Sequence, residues 1–174
     1  MNCFNGEKYL NEALDSVLAQ TFQNWELIFW DNQSVDKSAE IFKKYTDRRF
    51  KYFFAPKHTL LSEARNSAID HSTGELLAFL DVDDWWAPEK LEKQIPLFDD
   101  QEVGLVYANY WYVDEKNNIK YQLYGNNLPT GWCIDKLLRN YCIGLLTITV
   151  RSKVFKMINS GFNPKYHAIE PSKY

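Results

Sequence analysis

The sequence predicts an α/β fold: a mostly parallel sheet flanked by helices, followed by a mixed C-terminal part. Two observations carry this. Short continuous apolar runs alternate with segments whose apolar residues recur at helical spacing, the pattern of strands buried on both faces and their crossover helices. Beyond about residue 100 that alternation stops and hairpin-like pairs take over. At 174 residues, 45% of them apolar, the chain has the size of one domain and enough apolar side chains for a sizeable core. No Gly-, Pro- or Ser-rich linker divides it, and no internal repeat is visible.

Residues 6–22 place Tyr9, Leu10, Ala13, Leu14, Val17 and Leu18 on one stripe, which predicts a helix with Asn5 as its N-cap. Glu26 to Trp30 is a short apolar run that reads as a strand. Ser34 to Ser38 then opens a second amphipathic helix carrying Ala39, Ile41, Phe42 and Tyr45. Phe50 to Phe54 reads as the next strand, and Ser62 as the cap of a helix that runs to about Ser72 and stops at Gly74. Leu76 to Leu80 is a further buried strand. Pro88 suits a first helical turn, and Pro96 is expected to kink or end that helix after Leu91 and Ile95. In the second half, segments 103–113 and 119–124 flank Asp114 to Asn118 as a hairpin would, Ile134 to Tyr141 reads as a helix, and Leu145 to Val150 as a last strand.

Charged residues make up a quarter of the chain and the formal net charge is -3, so no basic stripe exists to track a nucleic-acid backbone. The three cysteines, Cys3, Cys133 and Cys142, show no metal-ligand spacing and fit a reducing compartment, giving the expectation of a cytoplasmic protein. No apolar run approaches the roughly 20 residues that span a bilayer, and the start lacks the order of a signal peptide. Membrane association is expected to be peripheral, at the inner face. Most of the six Trp, eleven Tyr and eleven Phe are expected to pack the core.

Ligands of open α/β sheets bind beyond the carboxyl ends of the strands, which directs attention to the residues leaving each run. After Trp30 come Asp31, Asn32 and the residues to Asp36; after Leu80 come Asp81, Val82, Asp83 and Asp84. Alternate residues leaving a strand aim two carboxylates at one point, and hard oxygen ligands of this kind take Mg²⁺ or Mn²⁺ together with substrate phosphates. The same acids would alternatively cap the helix near Pro88. Asn32 offers an acceptor and a donor for the edge of a pyrimidine, or else forms an Asx turn. Arg65 would meet a phosphate with its fork of donors, or pair with Glu63 or Asp70. His58 and His71 have no partner at a suggestive spacing and receive no role.

The stretches Phe4-Asn-Gly-Glu-Lys-Tyr-Leu, Ser16-Val-Leu-Ala-Gln-Thr-Phe, Trp25-Glu-Leu-Ile, Asp31-Asn-Gln-Ser-Val-Asp, Ala64-Arg-Asn, Thr73-Gly-Glu, Ala78-Phe-Leu-Asp-Val-Asp-Asp and Pro88-Glu-Lys-Leu resemble, in order, inverting glycosyltransferase family 2 and its GT-A fold. They span residues 4–98; from Tyr107 to Glu170 the similarity is diffuse. The resemblance implies a single, partial GT-A domain over 1–174, with a nucleotide-sugar donor half at 1–100 and an incomplete acceptor half at 101–174. Asp31 and Asn32 would face the donor's base and ribose, Arg65 the diphosphate, Asp81 ribose and metal, and Asp83 the metal itself. The implied reaction moves a sugar, UDP-linked, onto a hydroxyl of a saccharide or lipid-linked saccharide with inversion, in bacterial surface-polysaccharide synthesis.

The sequence departs from the family pattern in several places. Asn32 stands where Asp is usual. The glycine usual before Ala-Arg-Asn is absent from His58 to Ser62. The family's first strand, central in a 3-2-1-4 order, would finish where Met1 begins, so that strand is expected to be missing. Glu170 matches the first member of the family's catalytic Glu-Asp pair but is followed by Pro171, and it reads equally as a tail carboxylate. Two other classes stay open: a non-catalytic remnant that at most binds nucleotide, and a nucleotidyltransferase, although no Gly-rich phosphate loop is visible.

Overall fold

A computed structural model describes residues 1–114, 116–125, 127–157 and 161–165. The first half alternates as expected: β1 (Asn2–Cys3), α1 (Leu10–Leu18), β2 (Leu27–Asp31), α2 (Ser38–Phe42), β3 (Phe50–Phe54), α3 (Leu61–Asp70), β4 (Leu76–Ala78) and α4 (Lys90–Gln94). A 3₁₀ turn, Ile95–Asp99, follows α4 with Pro96 in its first positions, so the proline tightens the helix end without kinking it outward. The second half contributes β5 (Leu105–Val106), the hairpin β6 (Trp111–Asp114) and β7 (Ile119–Gln122), α5 (Ile134–Arg139), β8 (Thr149–Arg151) and α6 (Ser152–Met157). Leu145–Thr147, expected as strand, is a 3₁₀ turn leading into β8.

Strand β2 is buried along its whole length, which is why its sequence is uninterrupted by polar residues before Asp31. Its side chains alternate between two cores. Leu27 and Phe29 pack with Leu10, Leu14 and Phe42 from α1 and α2. Ile28 and Trp30 pack with Ala64 and Ala68 of α3. The sheet is therefore covered on both faces, and small residues on α3 let that helix sit close.

The sheet order is β1-β2-β3, all parallel, with the five residues of β2 in register with the five of β3. The expectation that the first strand is missing is corrected here. Asn2 and Cys3 pair with Trp30 and Asp31, and the Met1 amino group donates to Ile28 O at 2.9 Å. The tip of β2 thus has a hydrogen-bonding partner on this edge, although β1 is only two residues long. Strand β4 pairs antiparallel with β8, which also pairs with β5, so a second three-stranded sheet of order β4-β8-β5 joins the mixed second half to β4.

Three local expectations also change. Asn5 does not cap α1: it adopts a left-handed conformation (φ 55°) and its Oδ1 accepts from Val35 N, while α1 begins at Leu10. Ser62 lies inside α3, whose N-cap is Leu60, and the Glu63 carboxylate reaches back to Leu60 N at 3.2 Å. Helix α2 covers only Ser38–Phe42, the middle of the expected segment, because the residues before it form a loop stitched to the one after β1.

Candidate functional site

Three strand exits meet. The loop after β1 and the loop after β2 are sewn together by side chains: Asn5 N donates to Ser34 Oγ, Gly6 N to Ser38 Oγ, Glu7 N to Asp36 and Lys37 N to Glu7, all within 2.9–3.0 Å. The turn after β4 reaches the same place. A Cβ on Gly6 would stand 2.8 Å from the Val82 side chain and 3.1 Å from Cys3 Sγ, so the acidic turn packs directly on the first loop.

Asp31 is fully buried, and its carboxylate is occupied by its own chain. Ser34 N and the Tyr52 hydroxyl each donate to it at 2.7 Å. Burial and this carboxylate raise the Tyr52 phenol well above its ordinary range. Asp31 therefore shapes the loop after β2. Asn32 is likewise turned inward, 5% exposed. Its Nδ2 donates to Thr59 O at 2.8 Å, and its Oδ1 accepts from Thr59 N and Oγ1. Both acceptor lone pairs are used and one amide N–H remains.

Around this pairing lies a cleft of about 270 Å³ lined by Asn2, Phe4, Asn32, His58, Thr59 and Leu61, among others. Phe4 is half exposed and its ring lies 4.3 Å from that of His58, whose Nδ1 is 2.8 Å from Asn32 O. Sequence reading missed both. Phe4 was matched only as part of a string, and the partner of His58 is a backbone carbonyl 26 positions away that no side-chain spacing reveals. A larger hollow, about 390 Å³, lies in the second half among Tyr124, Lys136 and Asn140. No strand-tip residue lines it, so the smaller cleft is the one joined to the acidic turn.

Helix α3 makes that join. Leu61 and Ala64 line the cleft, and on the following residue Arg65 Nη2 donates to both oxygens of Asp81 at 3.0 Å. The Arg65 guanidinium also lies over the Phe162 ring, and the Asn66 amide pairs in both directions with the Phe162 backbone. The Arg-Asn pair of α3 thus anchors a segment from the far end of the chain. Glu170 lies outside the described residues.

Asp83 is exposed, and its carboxylate has no hydrogen-bond or ion-pair partner among the described residues. Beside it, burial together with the charges of Asp83 and Asp81 pushes the Asp84 carboxyl up to about 6. Arg65 is the one cation paired with this turn among the described residues. Among the described residues, no group of three or more His, Cys, Asp or Glu side chains could hold a metal by protein ligands alone. An uncompensated carboxylate with water-facing freedom suits Mg²⁺ or Mn²⁺, which take one or two carboxylates and complete their shell with water and phosphate.

The family model for glycosyl transferase family 2 matches residues 1–165. The chain belongs to glycosyltransferase family 2. It is 35% identical over 163 residues to an uncharacterized glycosyltransferase of Haemophilus influenzae, covering 91% of this chain and 63% of that protein. It is 33% identical over 150 residues to the UDP-Glc:alpha-D-GlcNAc-diphosphoundecaprenol beta-1,3-glucosyltransferase WfgD of Escherichia coli, covering 86% of this chain and 58% of that one. The chain therefore spans about three fifths of the length of these relatives. Among solved structures, S. aureus TarS 1-349 in complex with UDP-GlcNAc superposes with a TM-score of 0.72 at 20% identity, over 91% of this chain and 46% of that one. The mannosyltransferase PcManGT of Pyrobaculum calidifontis, in complex with GDP-Man and Mn2+, gives 0.68 at 17%, over 91% and 45%. These two likenesses establish the GT-A fold of this family 2 chain. No helix among the described residues is long and apolar enough to cross a membrane.

Proposed function

We propose that this chain carries the donor site of a metal-dependent inverting glycosyltransferase, which moves a sugar from a UDP-sugar to a hydroxyl of a saccharide or lipid-linked saccharide in bacterial surface-polysaccharide assembly. The observation that carries the reading is the bridge made by α3: it lines the cleft with Leu61 and Ala64 and holds Asp81 with Arg65. One rigid helix thereby links a pocket of base-sized dimensions to an acidic turn, as a nucleoside diphosphate requires. WfgD is named for a UDP-Glc donor and a lipid diphosphate acceptor, which supports the choice of donor and acceptor class.

In this reading Phe4 and His58 flank the base, Arg65 and Asp81 lie toward ribose and diphosphate, and Asp83 would hold the divalent cation. The bound cation supplies charge neutralisation for the departing diphosphate. The acceptor oxygen attacks the anomeric carbon as the bond to the diphosphate breaks, and the acceptor's proton passes to a carboxylate, the role assigned to Glu170. A single displacement inverts the anomeric centre. The anchoring of Phe162 on Arg65 and Asn66 supports this role by bringing the chain to within eight residues of Glu170 at the site.

Calorimetry with UDP in the presence of Mn²⁺ tests the donor site. Binding is expected for the parent chain and a loss of at least about tenfold for Asp83→Ala, since a metal ligand contributes several kcal/mol. Binding that ignores both EDTA and Asp83→Ala would refute the metal assignment. UDP released from UDP-glucose, measured with a coupled assay, separates an enzyme from a binding remnant.

A further inference from the structure

We propose that His58 reads the base of the donor, its Nε2 accepting the imino N–H of uracil; this rests on the donor-site reading above. The tautomer follows from the partner. Asn32 O is a carbonyl and accepts only, so the ring nitrogen 2.8 Å away, Nδ1, carries the proton. In the neutral imidazole the lone pair is then on Nε2, which has no partner among the described residues.

The residue that sequence spacing nominates for the base, Asn32, is poorly placed for this task. It is 5% exposed, and Thr59 saturates its carbonyl oxygen. The opposite pairing of Nδ2 with Thr59 O fixes which end is oxygen. What Asn32 retains is one N–H donor. His58 is exposed, lines the cleft and is held against Phe4. The cleft thus offers an acceptor on His58, with Asn32 in its wall. That acceptor complements an imino N–H, which uracil presents and which guanine also presents. Cytosine and adenine place a ring nitrogen acceptor where the N–H would be, and two acceptors facing each other reject them.

The test is calorimetry with Mn²⁺ and four probes, UDP, CDP, GDP and N3-methyl-UDP, against the parent, His58→Ala and His58→Gln. CDP is the isosteric probe, so its rejection cannot come from a methyl clash. The parent is expected to prefer UDP to CDP and to N3-methyl-UDP by on the order of tenfold, as a site with one unmatched buried hydrogen bond does. His58→Ala should reduce UDP affinity and bring UDP and CDP to within about twofold, while His58→Gln, which restores a carbonyl acceptor, keeps the preference. Equal binding of UDP and CDP by the parent, or an undiminished preference in His58→Ala with an unchanged melting temperature, overturns the role of His58 alone. Tighter binding of GDP than UDP overturns the assignment to uracil. No binding of any of the four overturns the donor-site reading and this inference with it.

Discussion

Arg65 gives one terminal nitrogen to both carboxylate oxygens of Asp81, 3.0 Å from each, with the guanidinium 15% exposed and the carboxylate 36% exposed. At that exposure water screens much of the attraction, so the pair contributes about 1 kcal/mol or less to stability. Its role is to fix the α3 side of the site. Arg65→Ala is expected to lower the urea midpoint slightly but to weaken UDP binding by on the order of tenfold or more. Arg65→Lys keeps the charge without the planar fork and should fall between the two. A double-mutant cycle with Asp81→Ala, read by urea unfolding, should return a coupling below about 1 kcal/mol. A coupling of several kcal/mol would show the pair to be a structural keystone.

Asn32 is locked to Thr59 in both directions, which makes a return to the family's usual Asp unfavourable in this chain. Asparagine donates to Thr59 O at 2.8 Å; aspartate would set an oxygen there, acceptor against acceptor, at a site 5% exposed. Asn32→Asp is expected to destabilise by about 1–3 kcal/mol at neutral pH. A carboxyl so placed has its folded pKa raised, because protonation restores the donor. The destabilisation is therefore present above that pKa and fades as pH falls through it. Urea unfolding of both proteins at pH 7 and in mild acid checks this; equal midpoints at pH 7 would contradict the pairing.

Much of the first hundred residues was legible because their physics is local. Phe50 to Phe54 was read at its observed bounds, since an apolar run between turn residues has few alternatives to a strand. Pro96 marked a helix end for the same reason. The errors fall where a distant partner decides. Asn5 caps nothing because Val35, thirty positions on, takes its oxygen. Asn32 and His58 face each other's neighbourhoods across 26 or 27 positions, through backbone groups every residue possesses. Arg65 had Glu63 and Asp70 as nearby choices and took Asp81, a pairing only the sheet order brings about. The acidic turn itself was legible by position at a strand exit, and the anchoring of Phe162 by Asn66 was not, being a contact over 96 positions.

Lys90 sits against the Trp86 ring, 4.2 Å from its centroid, with Nζ 2.9 Å from Gln94 Oε1. Burial lowers its amine from 10.5 to about 7. The unfolded chain therefore binds this proton more tightly, and stability rises with pH between about 7 and 10.5. Below that window both states carry the charge and the burial penalty is fully present. Lys90→Met is expected to be more stable than the parent at pH 6 by about 1–2 kcal/mol, less what the Gln94 bond contributes, and the difference should shrink toward pH 10. Denaturant midpoints at pH 6, 8 and 10 check it. A gap that is constant across this range would mean Lys90 keeps an ordinary amine.

Gly6 couples the first loop to the acidic turn by close contact, which gives a test that separates geometry from charge. A methyl added there would stand 2.8 Å from Val82 Cγ2 and 3.1 Å from Cys3 Sγ, so something must shift. Its φ does not enter, since alanine fails here for space. Gly6→Ala is expected to cost about 1–3 kcal/mol of stability by overpacking. It should also weaken UDP binding, because Val82 lies between Asp81 and Asp83 and moves them both. Trimming the other side of the contact should undo much of this. Gly6→Ala combined with Val82→Ala is expected to recover most of the lost affinity, a non-additivity that only touching residues show. If the double variant binds UDP no better than Gly6→Ala alone, the packing of Val82 on Gly6 does not set the position of the acidic turn.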